Sequence, residues 1–157
     1  STRPRTLFPY TTLFRSRDAR KDVEQLRSLS EESLKLKENE RRLTDYVVDS
    51  HKLVSGLRKK SRVLSDSEWE ELMQLCTTAW GDFISRLHAC CPQLTEQELR
   101  LCVLIRLRFN NTQLASIFAV SPASISQKKF RLKKHLLESG RISFTDDMTL
   151  DRWLVEF

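Results

Sequence analysis

Residues 111–136 read NTQLASIFAVSPASISQKKFRLKKHL. A short helix is predicted from about Thr112 to Phe118, then a tight turn at Ala119-Val120-Ser121. A second helix starts with Ser121 as N-cap and Pro122 in its first turn, where proline's missing N–H costs nothing. Ala115 is small where the two helices must approach, and Ala119 holds a turn position that glycine often takes. Leu114, Phe118, Val120 and Ile125 supply the apolar contacts that set a crossing angle. Leu132 and Leu136 lie two and three turns beyond Ile125 on the same face.

Two short helices joined by such a turn make a helix-turn-helix. The opposite face of the second helix presents Ala123, Ser124, Gln127 and Lys128, then Arg131 and Lys134, with no acid between Ser121 and Leu137. Small hydroxyl and amide groups near a helix start reach base edges in the major groove, so Ser124, Gln127 and Lys128 are the candidate base readers. Lys129, Arg131, Lys133 and Lys134 are candidates for phosphate neutralisation, which adds affinity without sequence information. A solvated amphipathic helix has the same kind of face; the turn pattern and the acid-free run favour DNA.

Charge is distributed to match. The net charge is +6, yet residues 17–94 balance, with 14 basic and 14 acidic side chains. Residues 95–141 carry nine basic groups (Arg100, Arg106, Arg108, Lys128, Lys129, Arg131, Lys133, Lys134, Arg141) against Glu96, Glu98 and Glu138. Localised positive charge is the footprint of phosphate binding.

With 3 Gly, 4 Pro and no alternating strand pattern, the fold class is all-α. Upstream of the opening stretch, Thr95 and Glu98 form a capping box, and the helix after them is apolar nearly all round, as a central buried helix would be. Ser67 and Glu70 suggest another capping box, followed by the stripe Trp69, Leu72, Met73, Cys76, Trp80, Phe83, Ile84, Leu87 on one helix that ends before Pro92. Residues 17–64 hold a seven-residue stripe of Leu29, Leu36, Leu43, Ser50, Leu57 and Leu64 beside Leu26, Ser33, Glu40, Val47, Val54 and Ser61. That predicts a long helical stalk of imperfect coiled-coil character, either dimerising or solvated on its own domain. Residues 141–157 form a tail in which Thr149 caps a short helix carrying Leu150, Trp153, Leu154 and Phe157, packing back on the domain.

The organisation expected is thus a stalk over 17–64, a linker helix over 65–91, a helix-turn-helix domain over 92–140 and the tail over 141–157. Residues 6–16, TLFPYTTLFRS, resemble the translation of a common short-read sequencing adapter, and residues 1–16 are set aside as an unstructured artefact. The chain does not start with Met, so a natural N-terminus is expected further upstream.

The stretch LTEQELRLCVLIRLRFNNTQLASIFAVSPASISQKKFRLKKHL resembles the LuxR-like helix-turn-helix domain. It is closest to the variant found at the C-termini of bacterial transcriptional regulators after helical-repeat sensor regions. RRLTDYVVDSHKLVSGL and the stripe from Trp69 to Leu87 look like that family's linker. The resemblance spans most of residues 36–137. It implies a sequence-specific transcription regulator whose third domain helix, about residues 122–137, enters the major groove. It also implies dimeric binding and, in full-length parents, an upstream sensor that sometimes has a membrane anchor. Lys128 stands where the family often has a smaller or less charged residue, and Phe130 is bulky for the DNA-facing rim, so base preference does not carry over.

The partners expected are double-stranded DNA, a second copy through the stalk, and RNA polymerase, in a cytoplasmic setting. The competing reading is a protein-interaction adaptor that works through the stalk. Enzymatic chemistry is not expected: there is no phosphate-binding glycine loop, and His51, His88 and His135 are not at metal-ligand spacing. No cofactor or metal is expected, and no small-molecule site is identifiable. Cys76, Cys90, Cys91 and Cys102 contain no CxxC pair and read as free thiols in a reducing compartment.

Overall fold

Capping side chains mark most of the helix starts in the computed structural model, which is all-α. It describes the backbone from Phe8 and side chains from Arg17. Among the described residues there are eight helices and no strand. They are α1 (Phe8–Ser50), α2 (Lys52–Lys59), α3 (Asp66–Trp80), α4 (Phe83–Cys90), α5 (Glu96–Arg106), α6 (Asn111–Phe118), α7 (Pro122–Glu138) and α8 (Leu150–Glu156). Residues 8–16, part of the segment set aside in the sequence, fall within the bounds of α1; residues 1–7 lie outside the described residues. No described helix is long and apolar enough to cross a membrane.

The chain divides into two units, meeting between Leu43 and Thr44. In the first, every described side chain of α1 is exposed, including Val23, Leu26, Leu29, Leu34, Leu36 and Leu43. The pairs Arg27–Glu31 at 3.5 Å and Arg42–Glu38 at 2.7 Å bridge successive turns and add a few tenths of a kcal/mol each, about 0.3–0.5.

In the second unit, α5 runs through the core. Leu99, Leu101, Cys102, Val103, Leu104 and Ile105 are all buried, as its all-round apolar sequence requires. Its start carries the expected box: Thr95 Oγ1 accepts from Glu98 N at 3.2 Å, and Thr95 N donates to Glu98 Oε2 at 2.9 Å. α8 packs on α5 as the tail reading anticipated, with Thr149 Oγ1 accepting from Arg152 N and Arg106 Nη1 donating to Leu154 O at 3.0 Å. The Arg106 guanidinium also lies over Phe83 and Trp80, 4.4 and 4.8 Å from their ring centres.

Three expectations are corrected. The stretch 17–64 is not one helix: α1 ends at Ser50 and α2 starts after His51, whose Nδ1 accepts from Leu53 N. The bend serves burial. Val48, Val54, Leu57 and Leu64 all enter the core, so Leu57 and Leu64 do not extend the α1 stripe. Arg58 clamps the bend, donating at 2.6 Å to both Asp49 Oδ1 and Leu107 O.

The second correction moves the α3 capping box from Ser67/Glu70 to Ser65/Glu68. Ser65 Oγ accepts from Glu68 N, and Ser65 N donates to Glu68 Oε2 at 2.9 Å. Arg62 decides the register by donating to both Glu68 oxygens, at 2.9 and 2.5 Å. The third divides the stripe from Trp69 to Leu87. α3 stops at Trp80, Gly81 takes φ 53°, and α4 starts at Phe83. Glycine tolerates this angle because it lacks a Cβ. The break sets Trp80 edge-on to Phe83, with ring centres 5.6 Å apart.

Hydrogen bonding by Arg62, then by the Ser65 N–H, holds the Glu68 carboxyl well below its ordinary 4.5, at about 2. The unfolded chain therefore takes up this proton first. Glu68 stabilises the fold fully above about pH 4.5 and progressively less as the pH falls towards about 2. Glu68→Gln should flatten that part of the stability–pH curve relative to the unchanged chain, as read from urea midpoints at successive pH values. At the α6–α7 turn Ala119 sits at φ 55°, ψ 45°, a region glycine occupies without the Cβ clash. Relief of the left-handed strain, roughly 1–2 kcal/mol, less the extra unfolded-state entropy of glycine, about 0.4–1 kcal/mol, leaves Ala119→Gly stabilising the chain by about 0.5–1 kcal/mol, measured by the same unfolding method.

Candidate nucleic-acid interface

α6 and α7 are held by reciprocal caps and a three-residue turn. Asn110 Oδ1 accepts from Gln113 N at 2.8 Å while Asn110 N donates to Gln113 Oε1 at 3.0 Å. This third capping box lies in NNTQ, where Asn and Gln three residues apart were its sequence signal. Ala119 closes α6 with its N–H on Ala115 O, and Val120 N donates to the same oxygen at 2.9 Å. Ser121 Oγ then accepts from Ser124 N at 3.2 Å, and Pro122 opens α7.

The inward side of α7 is apolar. Ile125, Leu132 and Leu136 are 0% exposed. Of the remaining turn residues, Leu114 and Ala115 are buried, and Phe118 and Val120 are half-buried against the core. The outward side carries Ala123, Ser126, Gln127, Phe130, Arg131 and Lys134, all exposed.

The sequence-predicted residues separate into two groups around this axis. Gln127, Arg131 and Lys134 face solvent, with Ser124 and Lys128 half-buried at the rim. The Ser124 hydroxyl is 2.9 Å from that of Ser121, which places it within the cap. Lys128 and Arg131 line a shallow depression with Phe118, Leu101, Gln97 and Glu98. Lys129 and Lys133 turn to the other flank. Lys129 Nζ is 2.7 Å from Asp151 Oδ2, its side chain 14% exposed. Lys133 Nζ donates to Met148 O at 3.4 Å and lies 5.0 Å from the centre of the Phe144 ring. These two lysines hold the tail.

Further ties steady the helix. His135 Nδ1 sits 3.1 Å from both oxygens of Glu98, the residue that caps α5. Asn111 Nδ2 donates to Ser126 Oγ at 3.3 Å, joining the start of α6 to α7. Neither contact was legible as a pair, since the partners stand 37 and 15 residues apart.

Among the described residues, no three His, Cys, Asp or Glu side chains gather as metal ligands. All four cysteines are free, and three are buried. Burial pushes the Cys76 thiol up to about 12 and raises Cys91 and Cys102 as well, so these sulfurs stay protonated and unreactive near neutral pH. Comparison with protein-family models, with curated proteins and with solved structures gave no match.

Lys129 and Asp151 should be coupled in a double-mutant cycle. Replacing either by Ala should destabilise the chain, and the pair together should cost less than the sum by about 0.5–1 kcal/mol, read from denaturant unfolding.

Proposed function

We propose that the chain is a sequence-specific DNA-binding transcription regulator, with α6 and α7 as its helix-turn-helix and α7 as the recognition helix. One observation carries the reading: α7 buries Ile125, Leu132 and Leu136 completely while exposing Gln127, Arg131 and Lys134. With no acid from Ser121 to Leu137, that face suits a polyanion. The LuxR-like resemblance of residues 94–136 supports the same reading. Gln127 is the foremost base reader, able to pair with adenine N6 and N7, while Ser124 and Lys128 stand beside it. Arg131 and Lys134 meet phosphates. Lys129 and Lys133 serve mainly to seat α8.

The exposed Leu29, Leu36 and Leu43 of α1, seven residues apart, support assembly with a second copy as a coiled coil, which would pair two DNA-binding units. Contact with RNA polymerase belongs to the same reading. The same exposed stripe favours the alternative, an adaptor that binds a protein through α1.

Binding of the full chain to fluorescent duplex DNA tests the proposal. Affinity should fall steeply with salt, and Arg131→Ala and Lys134→Ala should each make the slope of log K against log salt shallower by about one. Gln127→Ala should alter sequence preference instead of the slope. Failure to bind duplex DNA at low salt, combined with a nuclease-insensitive protein partner captured through α1, establishes the adaptor.

A further inference from the structure

Phe130 is 70% exposed in the middle of α7. Its position is informative because of what shares its side of the helix. Ala123, Gln127, Phe130 and Lys134 follow one another by four, three and four residues, the spacing of a single helical face. All four are exposed, and Arg131 flanks them. Ties to Asn111, Glu98 and Asp151 on three different helices hold α7 so that this line points away from the core. Along α7 the surface therefore joins an aromatic ring to an amide and two cations, with no acid on the helix itself before Glu138, while Glu98 of α5 lies in the depression beside Arg131.

A partner matching this surface carries dense negative charge with small apolar knobs and amide-like edges set between. The major groove of duplex DNA has that composition: phosphates at its walls, base edges on its floor, and the thymine C5 methyl projecting from it. From Ala123 to Phe130 the helix rises about 10 Å, close to three base-pair steps at about 3.4 Å each.

Resting on the DNA-binding reading above, we propose that Phe130 is a specificity-determining residue that packs its ring against a thymine methyl. This contact falls one or two base pairs from the adenine read by Gln127. The recognised site then contains A·T pairs at both positions, and the bulk of Phe130 discriminates against cytosine, which offers an amino group and no methyl at that edge.

The test uses the full chain and a randomised duplex pool. The bound sequences define the preferred site, and each of its thymines is then replaced singly by deoxyuridine, which removes only the methyl. One replacement should weaken binding by the unchanged chain about four-fold, the worth of burying a single methyl group. Phe130→Ala should bind the thymine and deoxyuridine duplexes equally, with an unaltered salt slope, and Phe130→Leu should restore part of the difference. Because Phe130 is exposed, both variants should melt with the unchanged chain.

Indifference to deoxyuridine at every thymine overturns the assignment, as does a Phe130→Ala variant that keeps the full methyl effect. A Phe130→Ala variant whose sedimentation changes while its selected site does not would show a protein contact, which also overturns it. If the unchanged chain binds no duplex at all, the DNA-binding reading fails and Phe130 falls with it; the methyl comparisons can fail while that reading stands.

Discussion

The seating of Ile125, Leu132 and Leu136 is the constraint on which the candidate surface depends. All three are sealed from solvent, and each lies within about 20° of a single line along α7 at about 100° per residue. Fixing that line fixes the rest of the helix. Gln127, Phe130 and Lys134 have no inward position left, and Lys129 and Lys133 fall on the side where α8 waits with Asp151 and the Met148 carbonyl. One hydrophobic register therefore decides which cations face solvent and which are spent on internal structure.

The core that receives α7 is organised around α5, which needs help from both ends. Glu98 serves twice, closing the Thr95 capping box and meeting His135 of α7. At the other end, the Leu107 carbonyl accepts from Arg58, whose guanidinium also reaches Asp49 in the last turn of α1 and lies over the Phe109 ring. A displacement of that last turn would pull on the C-terminal end of α5, only a few residues from the Asn110 cap of α6.

Most of the helices and their order were legible because their causes are local. Caps such as Thr95–Glu98 and Ser121, the proline at the start of α7 and the all-round apolar run of α5 all act within a turn or two of chain. The errors have a common origin. The capping box at Ser65 competed with an equally good pattern two residues later, and the choice fell to Arg62, a residue outside the helix. Likewise, an unbroken stripe from Trp69 to Leu87 fits one helix as well as two. The division at Gly81 follows from the grouping of Trp80 and Phe83 around Arg106, which stands more than 20 residues away.

Sequence alone determined the all-α class, the α6–turn–α7 arrangement, the inward triad of α7 and the acid-free character of its outer face, since periodicity and capping are short-range effects. Tertiary structure decided where the first long helix stops, for only a bend after Ser50 lets Val48, Val54 and Leu57 share one core. It also divided five neighbouring basic residues into those facing solvent and those bound to the tail. In sequence Lys128, Lys129, Arg131, Lys133 and Lys134 are nearly equivalent; their difference arises from Asp151, Met148 and Phe144, which reach them only when the C-terminal segment folds back.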